Sequence, residues 1–162
     1  MSIVVGFGGN LGSDAEIVAR FERAREALAQ LGTVRSASLY RSAAIGPEQP
    51  AFLNSAVAVA WADVQPAELI ATVLEIERLA GRVRPAPRWG PRHIDLDVLW
   101  WDAREVRTPE LEVPHPRLAE RRFALAPLVE LLGEDVAIPG RGRAGDLLAR
   151  VADQAVERIG SW

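Results

Sequence analysis

The amino-acid sequence predicts an α+β fold of the ferredoxin-like kind, in which a mainly antiparallel sheet carries helices on one face and ligand-holding loops on the other. The first observation behind this prediction is the order of the predicted elements, which runs strand, helix, strand, strand, helix, strand. The second is that both helices have one apolar stripe, as expected of helices that pack on a sheet. The third is the length of 162 residues, which suits one domain, and we expect residues 1–162 to form it.

The chain begins with a short apolar strand at residues 3–8, which leads into a glycine-rich stretch at residues 6–12. This stretch is not a dinucleotide-binding fingerprint, because Leu11 stands where the third glycine is needed. It is not a P-loop either, because no Gly-Lys-Ser or Gly-Lys-Thr follows. We favour a tight strand-to-helix turn, and the alternative is that the glycines let a flat ligand approach the backbone closely.

Two amphipathic helices are predicted from their boundary signals. A capping box from Ser13 to Glu16 begins the first helix, and Gly32 ends it. Pro66 begins the second helix and Gly81 closes it. The apolar stripes are Ile17, Phe21, Ala24, Leu28 and Leu31 in the first helix, and Leu69, Val73, Ile76 and Ala80 in the second. Glu77 lies one position off the second stripe, where a surface glutamate is the simplest interpretation.

Strands are predicted at residues 34–42 and 52–61, with a loop between them. In the second of these strands, two sets of side chains face opposite ways. One set is Leu53, Val57, Val59 and Trp61, and the other is Phe52, Asn54, Ala56, Ala58 and Ala60. Asn54 beside an aromatic ring suits a group that reads the edge of a planar ligand, and a strand-end asparagine bonded to a neighbouring loop is equally consistent.

The next predicted strand carries two carboxylates on one face. Ile94, Leu96, Val98 and Trp100 alternate there with Asp95, Asp97 and Leu99. Asp95 and Asp97 therefore lie about 7 Å apart on the same side. They repel each other unless a cation lies between them, and Mg²⁺ prefers oxygen ligands of this kind. Taken alone, the pair is equally consistent with a solvated strand face.

An arginine-rich segment precedes the two aspartates. Residues 82–92 contain Arg82, Arg84, Arg88 and Arg92 and no acidic residue. Arginine forks match phosphate oxygens, although such a loop alone is more often solvated or a weak nucleic-acid patch. Joined to the aspartates by a Trp-Gly-Pro turn, the segment favours the binding of a metal-chelated polyphosphate.

The remainder of the chain is predicted to contain a turn at 101–104, short extended pieces at 105–108 and 111–113, helices at 123–132 and 144–151, and a loop at 138–142. His115 lies between two prolines, which hold the backbone extended, so it is not a core histidine on a helix face. It could donate to a phosphate or act as an acid or base. With only two histidines and no cysteine, we expect no zinc site.

The composition is that of an ordinary globular protein, with 49% hydrophobic and 25% charged residues. A net charge of −3 argues against general nucleic-acid binding. The absence of cysteine excludes disulfides and thiolate catalysis, and the absence of lysine excludes a P-loop lysine or Schiff base. No apolar run reaches the ~20 residues of a membrane helix, and the N-terminus reads as a strand rather than a signal peptide. We therefore expect a cytoplasmic protein with no membrane and no nucleic-acid partner.

One stretch closely resembles the signature of the 6-hydroxymethyl-7,8-dihydropterin pyrophosphokinase family of folate biosynthesis, namely Arg88-Trp89-Gly90-Pro91-Arg92 followed by Ile94-Asp95-Leu96-Asp97. The likeness spans nearly the whole chain. It also includes residues 8–12, Tyr40-Arg41 with 45–47, 52–56, 76–77 with 81–84, 113–115, 121–123 and Trp162.

This resemblance implies transfer of the β,γ-diphosphate of ATP to the hydroxymethyl group of the dihydropterin, with release of AMP, by a monomer. It assigns two Mg²⁺ ions to Asp95 and Asp97, and catalysis to these two residues with Arg82 and Arg92. The implied ATP-binding residues are Glu77, Arg82, Arg84, Trp89, Arg92, Val98, His115 and Arg121. The implied pterin-binding residues are Gly8, Ser42, Ala43, Ile45, Phe52, Asn54, Trp89, Asp95 and Phe123.

The sequence departs from the family pattern at several positions. Glu110, Glu112 and Pro116 stand where relatives often carry Arg, Thr and Tyr, which leaves the base and ribose contacts open and the catalytic set intact. Phe52 replaces a frequent Tyr, and Ser42-Ala43 replaces a common Thr-Pro.

Two other classes of function compete with this interpretation. A ferredoxin-like RNA-binding module would need aromatic pairs on a basic sheet face, where this chain has Asp95 and Asp97. A metal-dependent phosphohydrolase would need a third or fourth acidic ligand near the pair, and the sequence offers no convincing one.

Overall fold

The computed structural model describes residues 2–44, 48–81 and 93–162. Its strands are β1 (Ile3–Gly9), β2 (Thr33–Ser36), β3 (Leu39–Ser42), β4 (Phe52–Ala60), β5 (Asp95–Trp101), β6 (Val106–Arg107), β7 (Glu112–Val113), β8 (Ala137–Ile138), β9 (Gly142–Arg143) and β10 (Val156–Gly160). Its helices are α1 (Asp14–Ala29), α2 (Pro66–Leu79), α3 (Arg122–Leu132) and α4 (Ala144–Arg150), and a 3-10 turn at Leu118–Glu120 precedes α3. Among the described residues, none of the helices combines the length and apolar character that crossing a bilayer requires.

The main sheet has the strand order β10, β3, β4, β1, β5, and β2 pairs with β4 beyond the end of β3. All of these pairings are antiparallel. With α1 connecting β1 to β2 and α2 connecting β4 to β5, the predicted ferredoxin-like α+β class is confirmed. The capping box that begins α1 is also present, with the Ser13 hydroxyl accepting a hydrogen bond from the Glu16 amide at 3.2 Å.

The first face of the sheet is covered by α1 and α2. Their buried stripes contact alternate residues of β1, β4 and β5, including Val5, Val57 and Val98. In the strand predicted at residues 52–61, the assignment of side chains to the two faces is correct for the central residues. Val57 and Val59 belong to this core, while Ala56 and Ala58 lie on the other side.

The second face carries α3 and α4 at one end and a cavity at the other. The buried leucines of α3 pack against Val4, Ala56 and Ala58 of the sheet. This face was predicted to be free to hold a ligand, and it is open only in part. The reason is that α3 has an apolar stripe of its own, and burying such a stripe requires a second surface.

A break at Ala37–Ser38 divides the predicted strand 34–42 into β2 and β3. The Ser38 amide turns away from the sheet and donates to the carboxylate of Glu130 on α3 at 2.8 Å. The indole N–H of Trp162 donates to the Ala37 carbonyl at 3.0 Å. These partners are distant along the chain, so local sequence patterns do not reveal the break. The same holds for β10, which pairs with β3 and lies in a stretch for which no element was predicted.

The strand β5 contains a bulge at Leu99. Val5 pairs with Val98 and Val4 pairs with Trp100, so Leu99 has no opposite residue in β1. The extra residue resets the alternation, and Leu99 and Trp100 both lie on the second face. The prediction that Trp100 faces the same side as Leu96 and Val98 is therefore wrong, whereas the shared face of Asp95 and Asp97 precedes the bulge and is unaffected.

Candidate active site

A cavity of about 360 Å³ lies on the second face, at the end not covered by α4. Its floor is the backbone of β1 between two polar strands. Gly8 pairs with Asn54 of β4 on one side and with Asp95 of β5 on the other, and Gly6 pairs with Asp97. Because Gly8 has no side chain, the floor is open there, whereas the Leu99 side chain covers Gly6, with Cδ1 3.0 Å from the position a Cβ would take.

Packing and backbone conformation require glycine at some positions of the 6–12 stretch and not at others. A methyl group at Gly8 would lie in ordinary contact, 3.6 Å from Oδ1 of the Asn54 side chain, so Gly8 is not required by packing. At Gly9 a methyl group would lie 2.7 Å from the His93 carbonyl oxygen, and Gly12 has a φ of +97° in the turn to α1. Gly9 and Gly12 therefore serve the backbone, as the turn interpretation predicts, while Gly8 borders the cavity, where the approach of a flat ligand stays a prediction.

The walls of one half of the cavity, here named the aromatic slot, consist of Phe52, Phe123, Asn54 and Ser42. Asn54 and Ser42 are buried, at 3% and 5% exposure, and the Asn54 amide donates to the Ser42 hydroxyl at 2.7 Å. The hydrogen bond joins β4 to β3 and orients both polar groups beside the two aromatic rings. Ala43 also borders this half.

The position of Phe123 depends on how α3 is attached to the sheet. Glu130 on α3 accepts hydrogen bonds from the Tyr40 hydroxyl at 2.6 Å and from the Ser38 amide at 2.8 Å. These bonds tie the helix that carries Phe123 to the strand that carries Ser42. These partly buried contacts lie outside the aromatic slot and hold α3, which carries Phe123, against the sheet.

The other half of the cavity, here named the charged edge, consists of Asp95, Asp97, His115 and Arg121. The side chain of Asp97 is half exposed. Among the described residues there is no group of three or more His, Asp, Glu or Cys side chains that could share a metal ion. Two carboxylates alone suit Mg²⁺, because this ion keeps several positions for water and phosphate oxygens.

His115 reaches the charged edge because of the bulge in β5. The Leu99 carbonyl accepts a hydrogen bond from the His115 amide at 3.1 Å, which holds the segment after β7 against β5. The imidazole Nδ1 accepts a hydrogen bond from the Arg117 amide at 3.1 Å, and Nε2 lies 3.9 Å from Asp97 Oδ1. Since Nδ1 is an acceptor, the proton of the neutral ring is assigned to Nε2, which faces Asp97.

The charges around His115 act in opposite directions. Burial lowers the pKa of His115 below its ordinary value, the Asp97 carboxylate raises it, and Arg121 lowers it. The direction of the shift keeps the imidazole neutral near pH 7, as a hydrogen-bond donor. Burial also lowers the pKa of Arg121, with Asp97 opposing, but a guanidinium stays charged. The guanidinium carbon (Cζ) of Arg121 lies 5.5 Å from the centre of the Phe123 ring, between the charged edge and the aromatic slot.

Two residues that the resemblance assigned to ATP do not line the cavity. Val98 belongs to the core under α1 and α2, and the Glu77 side chain is buried there and accepts a hydrogen bond from the Leu96 amide at 2.9 Å. The alternation along β5 explains Val98, because residues 96 and 98 face away from Asp95 and Asp97.

Five other assigned residues lie outside the described part of the chain, namely Ile45, Arg82, Arg84, Trp89 and Arg92. Among residues that the sequence analysis did not select, Arg117 borders the cavity beside His115. Its position two residues after His115 was the available signal.

Comparison with known proteins places the chain among pterin pyrophosphokinases. The model of the family described as 7,8-dihydro-6-hydroxymethylpterin-pyrophosphokinase (HPPK) matches residues 4–133. A 2-amino-4-hydroxy-6-hydroxymethyldihydropteridine pyrophosphokinase from Pseudomonas aeruginosa is 35% identical over 158 residues, which are 97% of this chain and 96% of that protein. The enzyme of the same name from Synechocystis is 38% identical over 134 residues, 79% of this chain and 65% of its own length.

Longer relatives and solved structures also match. A mitochondrial folate synthesis bifunctional protein from Pisum sativum is 42% identical over 134 residues, 81% of this chain but 25% of that protein. A crystal structure of Plasmodium falciparum HPPK-DHPS A437G with STZ-DHP has a TM-score of 0.71 at 12% identity, over 94% of this chain and 45% of that one. An HPPK-DHPS structure in complex with substrates has a TM-score of 0.72, also at 12% identity, over 94% of this chain and 43% of that one. These structures support the fold.

Proposed function

The chain belongs to the 7,8-dihydro-6-hydroxymethylpterin-pyrophosphokinase family, and we propose that it performs that reaction in folate biosynthesis. The β,γ-diphosphate of ATP is transferred to the hydroxymethyl oxygen of 6-hydroxymethyl-7,8-dihydropterin, which gives the pterin diphosphate and AMP. The observation that carries this proposal is a single cavity that combines an aromatic slot with a pair of carboxylates and cationic groups.

The aromatic slot suits the pterin. A flat bicyclic ring fits between Phe52 and Phe123 over the open floor at Gly8, and stacking on aromatic faces contributes about 0.5–1.5 kcal/mol beyond area burial. Asn54 and Ser42 offer donors and acceptors to the polar edge of the ring. This orientation directs the hydroxymethyl group along the floor toward the charged edge.

The charged edge suits the triphosphate. Arg121 supplies a fixed positive charge, and the Nε2–H of neutral His115 supplies a hydrogen-bond donor. Arg117 lies beside them and can contact the same phosphates. Asp95 and Asp97 would hold two Mg²⁺ ions, which supply charge neutralisation and alignment of the phosphates when bound.

The remaining parts of the proposal come from the sequence. By resemblance to the family, Arg82 and Arg92 would clamp phosphates in the transition state, Arg84 and Trp89 would bind ATP, and Ile45 would bind the pterin, and all five lie outside the described residues. A single catalytic domain at 1–162, a monomeric state and a cytoplasmic location also belong to the proposal.

Product analysis tests the proposed reaction. The protein is incubated with ATP, Mg²⁺ and 6-hydroxymethyl-7,8-dihydropterin, and nucleotides and pterins are separated by chromatography. AMP that forms in a 1:1 ratio with a pterin diphosphate is the expected result. ADP as the nucleotide product, free phosphate, or AMP formation that does not depend on the pterin would contradict the proposal.

A further inference from the structure

The buried carboxylate of Glu77 has no place in the mechanism above. Glu77 lies on the side of α2 that packs against the sheet, next to the stripe residues Val73 and Ile76, and its exposure is 2%. A carboxylate at such a position is costly to bury unless it forms strong hydrogen bonds. One of its oxygens, Oε2, accepts a hydrogen bond from the backbone N–H of Leu96 at 2.9 Å.

The position of Leu96 makes this hydrogen bond relevant to the site. Leu96 stands between Asp95 and Asp97, and its side chain belongs to the core while theirs border the cavity. β5 is the last strand of the sheet, so in the described part of the chain it has a strand partner, β1, on one edge only. The Glu77 carboxylate occupies the other edge at Leu96, with an ionic acceptor in place of a backbone carbonyl.

We propose that Glu77 is a positioning residue for the two aspartates, an inference that rests on the proposed function. Its bond to the Leu96 amide fixes the plane of the peptide that joins Asp95 to Leu96. The orientation of this peptide determines how both carboxylates project toward the cavity. Glu77 thus acts on the metal-binding pair from the opposite face of the sheet, and it does not contact the nucleotide.

A second contact fixes the chain just before the aspartates. Arg20 on α1 donates through Nη1 to the carbonyl oxygens of Leu11 at 2.5 Å and of His93 at 3.2 Å. The entry to β5 is therefore held from α1 at His93 and from α2 at Leu96. Of these two supports, Glu77 is the one whose bond lies between the aspartates themselves, so it has the larger effect on their geometry.

The test compares Glu77→Leu, which removes the acceptor, with Glu77→Gln, which keeps a neutral acceptor oxygen. Glu75→Gln is the matched control, because Glu75 lies on the same helix but forms an exposed ion pair with Arg78 at 2.7 Å. Binding of Mn²⁺ to the enzyme with α,β-methylene ATP is measured by electron paramagnetic resonance. We expect Mn²⁺ binding to weaken about tenfold or more in Glu77→Leu, by roughly threefold or less in Glu77→Gln, and not at all in the control.

A direct nucleotide contact gives a different pattern. In that case Glu77→Leu would raise the KM for ATP while Mn²⁺ binding stayed at the wild-type value, and this result would overturn the proposal.

A second measurement needs no ligand and uses the milder variant. In the NMR spectrum of the metal-free and nucleotide-free protein, the Leu96 amide proton is expected to move upfield in Glu77→Gln, and an unchanged Leu96 signal would also overturn the proposal. If the wild-type protein forms no AMP, the proposed function fails, and the Leu96 measurement still reports on the Glu77 contact by itself.

Discussion

The two halves of the cavity are stabilised in opposite ways. In the aromatic slot, Asn54 and Ser42 are almost fully buried and are hydrogen-bonded to each other. In the charged edge, the Asp97 side chain is half exposed, and its nearest approach to His115, 3.9 Å, is too long for a hydrogen bond. The slot is therefore completed by folding, whereas the edge keeps charges whose proposed partners are ligands. This difference predicts that substitutions of the two aspartates affect catalysis with little change in stability near pH 7, while those around the slot affect pterin binding and, where packing is involved, stability.

The largest effect is expected from Asp97→Asn. Loss of a proposed metal ligand removes several kcal/mol of charge stabilisation, so the rate of AMP formation should fall about a thousandfold. The melting temperature should stay within about 2 °C of wild type or rise, because the lost carboxylate is half exposed and repels Asp95. Steady-state kinetics and thermal melts measure the two effects. Asp153→Asn, at an exposed aspartate that does not line the cavity, serves as the control, and near wild-type turnover in Asp97→Asn would refute the metal role.

A smaller effect is expected from Phe123→Ala in the aromatic slot. The loss of one stacking face and its buried area should raise the KM for the pterin roughly tenfold or more, with a smaller change in the KM for ATP. Phe52→Tyr, which restores the hydroxyl frequent in relatives, should stay within about threefold of wild type. Equal increases in both KM values for Phe123→Ala would show that the two halves of the cavity are not distinct.

The adjacent glycines Gly8 and Gly9 of β1 sharpen the comparison further, because Gly8 borders the cavity and Gly9 packs against the backbone at His93. Gly8→Ala places a methyl group in ordinary contact with Asn54, so stability should change by less than about 0.5 kcal/mol while the KM for the pterin rises roughly tenfold. Gly9→Ala forces a methyl group to within 2.7 Å of the His93 carbonyl oxygen and should lower the free energy of unfolding by about 1–3 kcal/mol. Urea denaturation and pterin kinetics on both variants check this. If Gly8→Ala were the less stable of the two, the assignment of the floor would be wrong.

The smallest effect concerns pH. Burial lowers the pKa of His115 in the folded protein, so below about pH 6.5 the unfolded chain binds a proton that the folded chain does not. This residue therefore causes no loss of stability above that pH, and an increasing loss as the pH falls toward the lower folded pKa. His115→Gln should lose less stability than wild type between pH 7 and pH 5.5, as measured by urea denaturation. An identical pH dependence in both proteins would exclude this contribution.

Local patterns predicted much of the fold and of the site. The capping box at Ser13 and the alternation that puts Asp95 and Asp97 on one face depend on neighbours within a few residues, and both are present. Phe52, Asn54 and Phe123 also border the cavity, as the resemblance implied.

What the sequence missed depends on distant partners. The bulge at Leu99 arises only from the pairing of β5 with β1. It moves the Trp100 side chain to the second face of the sheet, and the backbone carbonyl of Leu99 accepts the hydrogen bond from His115. The bond from the Leu96 amide makes Glu77 a buried residue rather than a surface one. The break before β3 likewise depends on Glu130 and Trp162, more than ninety residues farther along the chain. Each of these contacts joins two different elements, whereas the hydrophobic periodicity of the sequence carries information about one helix or strand at a time.

In the proposed function one cavity holds both substrates, with the pterin in the aromatic slot and the phosphates at the charged edge. A crystal structure with Mg²⁺, α,β-methylene ATP and 6-hydroxymethyl-7,8-dihydropterin tests it most directly. We expect density for the pterin between Phe52 and Phe123, and density for metal ions on Asp95 and Asp97 between the pterin and the triphosphate. A pterin bound elsewhere, or a triphosphate that leaves both aspartates without metal, would contradict it.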